Sequence, residues 1–190
     1  MTTSPPGETV TSADTARLVA SLQRPGGITT VFQPVVRVAD GAVIGYEALS
    51  RSTDRPDVAP DAWLQLADTY GVRADVELAC LAAARDAGDP PDSALLFVNV
   101  SPDVALDERF SSLCRALPRH VIEVTEHAAV DDYAPLIERL NVLRSHGSLV
   151  AVDDVGSGYA SMAHVLQLSP SFIKIDRSLV SGLHRDPRRR

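Results

Sequence analysis

Six short apolar runs recur along the 190-residue chain: TTVFQPVVRV (29–38), AVIGYEALSR (42–51), LLFVNVS (95–101), VIEVTE (121–126), LVAVDD (149–154) and FIKID (172–176). Only a turn at Asp40 and Gly41 separates the first two, which predicts a β-hairpin. The later runs alternate with stretches of helical periodicity: DAWLQLADTY, ADVELACLAAARDA, Phe110 to Leu117, DDYAPLIERLNVLRSHG and Met162 to Leu168. Continuous apolar strands spaced by helices demand a parallel sheet covered on its faces. The chain is therefore α/β, either an open doubly wound sheet or a barrel.

Side-chain parity adds what periodicity lacks. A strand buried on both sides sends alternate residues to the helices and to the interior. In LVAVDD, Val150 and Val152 share one face, and Ala151 and Asp153 the other. In FIKID, Ile173 and Ile175 oppose Phe172, Lys174 and Asp176. Asn99 shares a face with Leu95 and Phe97, Glu123 opposes Ile122 and Val124, and Gly45, Glu47, Leu49 and Arg51 fall together. Five consecutive strands thus place a polar side chain near the carboxyl end on what can be one face, the layout of a barrel-mouth active site.

The set so collected is Glu47, Asn99, Glu123, Asp153 and Asp154, with Lys174 among them. Singly, each has an ordinary account: Asp153 and Asp154 as caps of a loop, Asn99 at a helix start, Glu123 in a surface ion pair. Together, four carboxylates and an amide repel one another unless hard cations neutralise them, and all-oxygen ligands suit Mg²⁺ or Mn²⁺ rather than zinc. Of the 18 basic residues Lys174 alone is lysine, which marks it for a task that guanidinium cannot do. The formal charge of −7 argues against a basic footprint for a nucleic-acid polymer. Cys80 and Cys114 lie in Ala- and Leu-rich segments without metal spacing and read as small buried hydrophobes. The five histidines are scattered and read as structural or exposed, and the Gly-Ser-Gly of residues 156–158 lacks the spacing of a nucleotide loop.

Gln33-Pro34, Glu47-Ala48-Leu49 with Arg51, Asn99-Val100-Ser101-Pro102, Glu123-Val124-Thr125-Glu126, Asp153-Asp154-Val155-Gly156-Ser157-Gly158 and Lys174-Ile175-Asp176 together resemble the ordered motif series of the EAL domain family. That resemblance implies a modified (β/α)₈ barrel, TIM-like but with an antiparallel first strand, and a metal-dependent phosphodiesterase that opens cyclic di-GMP to linear pGpG. Carried over by position, it makes Glu47, Asn99, Glu123 and Asp153 ligands of one Mg²⁺ or Mn²⁺, with Asp153 and Asp154 shared toward a second. Lys174 then orients or helps to activate the attacking water, beside Glu47 in the catalytic centre. Gln33, Leu49, Arg51 and Asp176 contact the substrate, Arg51 through a phosphate, and Glu126 braces the loop after the fifth strand. A non-catalytic module that binds cyclic di-GMP or a protein partner is the alternative the same resemblance allows.

Two departures from the family pattern stand out. Val155 replaces a usual phenylalanine, and only about six of the eight strands are present before Arg190. The resemblance puts a further metal ligand on a seventh strand, so the 190 residues by themselves are expected to bind weakly and hydrolyse little. Residues 1–11, rich in Pro, Ser and Thr, are expected to be a disordered leader, and 12–190 a carboxyl-terminally incomplete EAL-type domain. A homodimer is a further possibility that an open barrel raises. No run approaches the roughly 20 apolar residues of a bilayer span, and a cytoplasmic location is expected.

Overall fold

The computed structural model describes residues 12–125, 130–156 and 159–181. Its elements are α1 (Ser12–Gln23), β1 (Ile28–Val36), β2 (Val43–Ser52), α2 (Pro60–Thr69), α3 (Arg73–Asp86), β3 (Leu95–Val100), α4 (Pro102–Leu106), α5 (Glu108–Cys114), β4 (His120–Val124), α6 (Ala134–Ser145), β5 (Leu149–Val155), α7 (Tyr159–Leu168), β6 (Phe172–Ile175) and α8 (Arg177–Val180), with a 3₁₀ turn at Pro91–Ser93. The six strands form one sheet in chain order. The β1–β2 pair is antiparallel and every later pair is parallel. Strictly sequential order with helical crossovers winds the sheet in one direction, as in a barrel wall, and excludes the doubly wound alternative, whose strand order reverses.

Local chemistry sets most boundaries. Pro60 and Pro102 open α2 and α4, where a missing N–H costs nothing. The Ser101 hydroxyl caps α4, accepting from the Val104 amide, and the Asp107 carboxylate caps α5 by accepting from the Arg109 amide at 2.8 Å. The helix expected from Phe110 to Leu117 begins two residues earlier, at Glu108, and ends at Cys114, and a separate short helix, α4, precedes it across Asp107, whose extended backbone cannot continue a helix. In α6, Leu136, Leu140 and Leu143 are buried along one face, and Gly147 takes φ +97° just past the end.

The strands divide their side chains as parity predicts. Leu96, Val98 and Val100 of β3, Ile122 and Val124 of β4, and Val150 and Val152 of β5 pack outward against Leu81, Phe110, Leu136 and Leu140 of the helices. β6 is the exception: Ile173 and Ile175 occupy the same outward positions but remain 49% and 58% exposed. No helix among the described residues is long and apolar enough to cross a membrane. The expected leader at 1–11, Glu126, His127, Ser157, Gly158 and the Arg188 to Arg190 run lie outside the described residues.

Candidate active site

The inner face of the sheet is stacked in two layers. Phe97, Val121 and Ala151 form the lower, apolar layer, packed with Leu149 and Phe172. One period further along each strand the residue turns polar: Asn99, Glu123, Asp153 and Lys174. From β2 comes Glu47, whose register partner on β3 is Phe97. Gly45, two residues before it, makes room for the lower layer, since a Cβ there would stand 2.5 Å from the Phe97 ring.

The upper layer converges on the Lys174 ammonium. Nζ lies 3.1 Å from Glu47 Oε2, 3.2 Å from Glu123 and 3.4 Å from Asp153 Oδ2. The three carboxylates each bring an oxygen within 4.8 Å of the others. Asn99 Nδ2 donates to Glu47 Oε1 at 3.0 Å, closing the ring. Glu123 is fully buried, and its Oε1 has no hydrogen-bond partner among the described residues. Burial pushes the Glu123 carboxyl up to about 8; Lys174 pulls it down, while Glu47 and Asp153 add to the push. Burial alone would lower Lys174, but the three carboxylates outweigh it and hold the ammonium above its ordinary range.

Three carboxylates against one ammonium leave excess negative charge in a half-buried pocket, which a divalent cation is suited to neutralise. Every candidate ligand offers oxygen, and the buried Glu123 Oε1 accepts no hydrogen bond, its charge partner being the Lys174 ammonium at 3.2 Å, so a hard ion such as Mg²⁺ or Mn²⁺ fits this donor set. β5 helps to aim it. Its ladder is irregular between Val152 and Val155, and Asp154 sits there at φ +52°, its amide donating to Asp153 Oδ1 at 2.9 Å. Gly156 follows at φ +105°, where a Cβ would collide with the Leu179 side chain of α8.

A cleft of about 470 Å³ opens beside the cluster, lined by Glu47, Leu49, Arg51, Asn99, Asp153 and Asp154 together with Trp63, Arg73 and Glu77. Its size suits a drug-sized ligand. Arg51 donates to the Ser50 carbonyl and Asp154 is exposed. Gln33 stands directly opposite Glu47 in the β1–β2 ladder, on the same sheet face, and is exposed. Asp176 caps α8, accepting from the Ser178 amide at 2.8 Å and from the Ser178 hydroxyl. The structure thus brings Glu47, Asn99, Glu123, Asp153 and Lys174 into one cluster and sets Leu49, Arg51 and Asp154 along the adjoining wall.

Sequence reasoning missed Glu77. This carboxylate is 7% exposed, accepts from Arg73 Nε at 2.7 Å and takes the Ser101 amide at 2.9 Å. The one signal it leaves is an acid on the otherwise apolar stretch of α3 between Val76 and Leu78. Both cysteines are free, and burial pushes their thiols up to about 12, which removes them as nucleophiles. His120 is buried and His146 exposed.

Residues 16–190 match the family model described as the EAL domain. A probable cyclic di-GMP phosphodiesterase of Escherichia coli, PdeG, is 29% identical over 177 residues, covering 85% of this chain and 35% of PdeG. The chain thus spans about a third of the length of this curated relative. Klebsiella pneumoniae BlrP1, solved with calcium and cyclic di-GMP, superposes with a TM-score of 0.70 at 27% identity, over 88% of this chain and 45% of BlrP1. With manganese and cyclic di-GMP, the same protein gives 0.71 at 26% identity over the same shares.

Proposed function

Because the chain belongs to the EAL domain family, we propose that its cleft takes cyclic di-GMP and, with Mg²⁺ or Mn²⁺, hydrolyses one phosphodiester bond to leave linear pGpG. The observation that carries the proposal is the convergence of Glu47, Glu123, Asp153 and Asn99 around Lys174 at the mouth of that cleft. Glu47, Asn99, Glu123 and Asp153 would hold the ion, and Asp154, at the bulged end of β5, would share with Asp153 in holding a second. When bound, the divalent ion supplies Lewis-acid stabilisation of the charge that develops around phosphorus and eases deprotonation of the attacking water.

The protein's own groups do the rest. Lys174, tethered by three carboxylates, is placed to hydrogen-bond the incoming water and fix its line of approach. Arg51, on the cleft wall, pairs with a phosphate oxygen, while Gln33, Leu49 and Asp176 contact the remainder of the ligand. The water oxygen forms the new bond to phosphorus and the bond to a ribose 3′-oxygen breaks. That oxygen leaves with a proton, and the phosphate stays on the 5′ side.

Incubation with cyclic di-GMP in Mn²⁺ or in EDTA, followed by chromatography, tests this reading. Expected are a low yield of pGpG that forms only with Mn²⁺, its loss in Glu47→Ala, and a rise in unfolding temperature with Mn²⁺ that the Glu47→Ala, Asp153→Asn double variant lacks. Binding of cyclic di-GMP without linear product would make the site a recognition module. An unfolding temperature that Mn²⁺ leaves unmoved would remove the metal.

A further inference from the structure

We propose that Glu77, on α3, is a positioning residue of this site: it clamps the turn between β3 and α4 and so fixes the carboxamide of Asn99. The proposal rests on the metal-dependent reading above. A carboxylate that is 7% exposed is costly unless its charge and lone pairs are satisfied, and here both oxygens are engaged. Oε1 accepts from Arg73 Nε at 2.7 Å, and Arg73 is itself held at 2.6 Å by Asp68 of α2. Oε2 accepts the Ser101 amide at 2.9 Å. A chain of charge-assisted bonds therefore runs from α2 through α3 to the first peptide beyond β3.

What that chain holds identifies its task. Ser101 is two residues from Asn99, and the residue between them, Val100, is 1% exposed and locked in the outer core. A tilt of the turn is thereby passed to Asn99, whose Nδ2 bonds Glu47 at 3.0 Å. Docking α3 against β3 does not require a buried acid, because Leu78, Leu81 and Ala84 already share one apolar cluster with Leu96, Val98 and Val100. The directional hydrogen bond at the carboxyl end of β3 is what Glu77 adds.

A double-mutant cycle on Mn²⁺ binding tests it, each variant being measured well below its own unfolding midpoint. Glu77→Ala should weaken Mn²⁺ binding about tenfold, the scale for a group that orients a ligand. In an Asn99→Ala background the same change should cost less than about twofold, because the residue being positioned is gone. Glu77→Gln, which keeps an acceptor for the Ser101 amide, should recover most of the affinity. An unchanged Kd in Glu77→Ala, or an equal loss in both backgrounds, overturns the proposal. Should Glu77→Ala fail to fold, Glu77→Asp, which draws the carboxylate back by one methylene, replaces it with the same expected loss. If the wild-type chain takes up no Mn²⁺, the metal reading falls and the Asn99 side-chain amide signals decide the positioning. Their displacement on substitution of Glu77 supports it, and unmoved signals reject it.

Discussion

Strand β4 buries two polar side chains three residues apart, and they are built in opposite ways. At its start His120 is 7% exposed and fully partnered: Nδ1 donates to the Pro118 carbonyl and Nε2 accepts from the Ser148 hydroxyl, both at 2.8 Å. At its end Glu123 is fully buried, has one oxygen without a hydrogen-bond partner among the described residues, and faces two more carboxylates and an ammonium. The first arrangement is satisfied and neutral, so it closes the structure. The second buries a carboxyl group whose ionised form burial disfavours and whose Oε1 accepts no hydrogen bond, a costly state that folding alone has no reason to maintain. In a barrel this is the difference between the stability face and the catalytic face, drawn here within one strand.

Substitutions should separate the two ends. The largest effect is expected for Glu123→Gln, which removes the ligating charge and should lower Mn²⁺-dependent pGpG formation by about a hundredfold or more. Its unfolding temperature in EDTA should be unchanged or higher, because a carboxylate crowded by Glu47 and Asp153 is relieved. A large loss of metal-free stability instead would make Glu123 a structural residue like His120.

Next comes Lys174→Met, which leaves three carboxylates facing one another. In EDTA this should cost about 2.5 kcal/mol, somewhat less than the roughly 3–5 kcal/mol of a fully buried pair because Lys174 is 31% exposed. Mn²⁺ should restore most of the loss, since the ion neutralises the same oxygens. Urea unfolding with and without Mn²⁺ measures both figures, and a deficit that Mn²⁺ leaves untouched would show that the carboxylates are no metal site. His120→Ala should behave in the reverse way, costing about 1–2 kcal/mol through the stranded Ser148 and Pro118 groups. Its Mn²⁺ affinity, read by titration calorimetry, should stay within about twofold of wild type.

The carboxyl end of the strands was the more legible of the two in sequence, for a physical reason. Strand parity is local, so Asn99, Glu123, Asp153 and Lys174 could be assigned to one face from spacing alone, and the observed register brings that face together. The hairpin was equally plain, because Asp40-Gly41 fixes it in place. Glu77 was not legible. Its partner Ser101 is 24 residues away on another element, and nothing in the helical pattern of α3 records that contact. Helix α4 was not legible either, because its five residues are too short a run for helical periodicity to show. The β6 isoleucines fit the strand pattern, but exposure depends on what lies beyond an edge, which the pattern does not encode.

The smallest expected effect is the pH dependence set by His120. Burial lowers its pKa from the ordinary value near 6.5, and the bond to Pro118 opposes only part of that. Nδ1 carries the proton that Pro118 receives, so a second proton would have to enter at Nε2 and turn the Ser148 hydroxyl around. With the folded pKa below the unfolded one, the unfolded chain binds more protons in the interval between them, and stability there rises with pH. The contribution is complete above about pH 6.5. It is lost as pH falls through the folded pKa, with a slope that cannot exceed about 1.4 kcal/mol per pH unit, that of one proton. Urea unfolding of wild type and His120→Asn between pH 5 and 8, in EDTA so that the metal ligands carry no ion, should show the difference between the two proteins widening with pH and levelling off near neutrality. Parallel curves, or a His120 imidazole that titrates above 6.5 by NMR, would show that the start of β4 does not hold a neutral histidine and would collapse the contrast with Glu123.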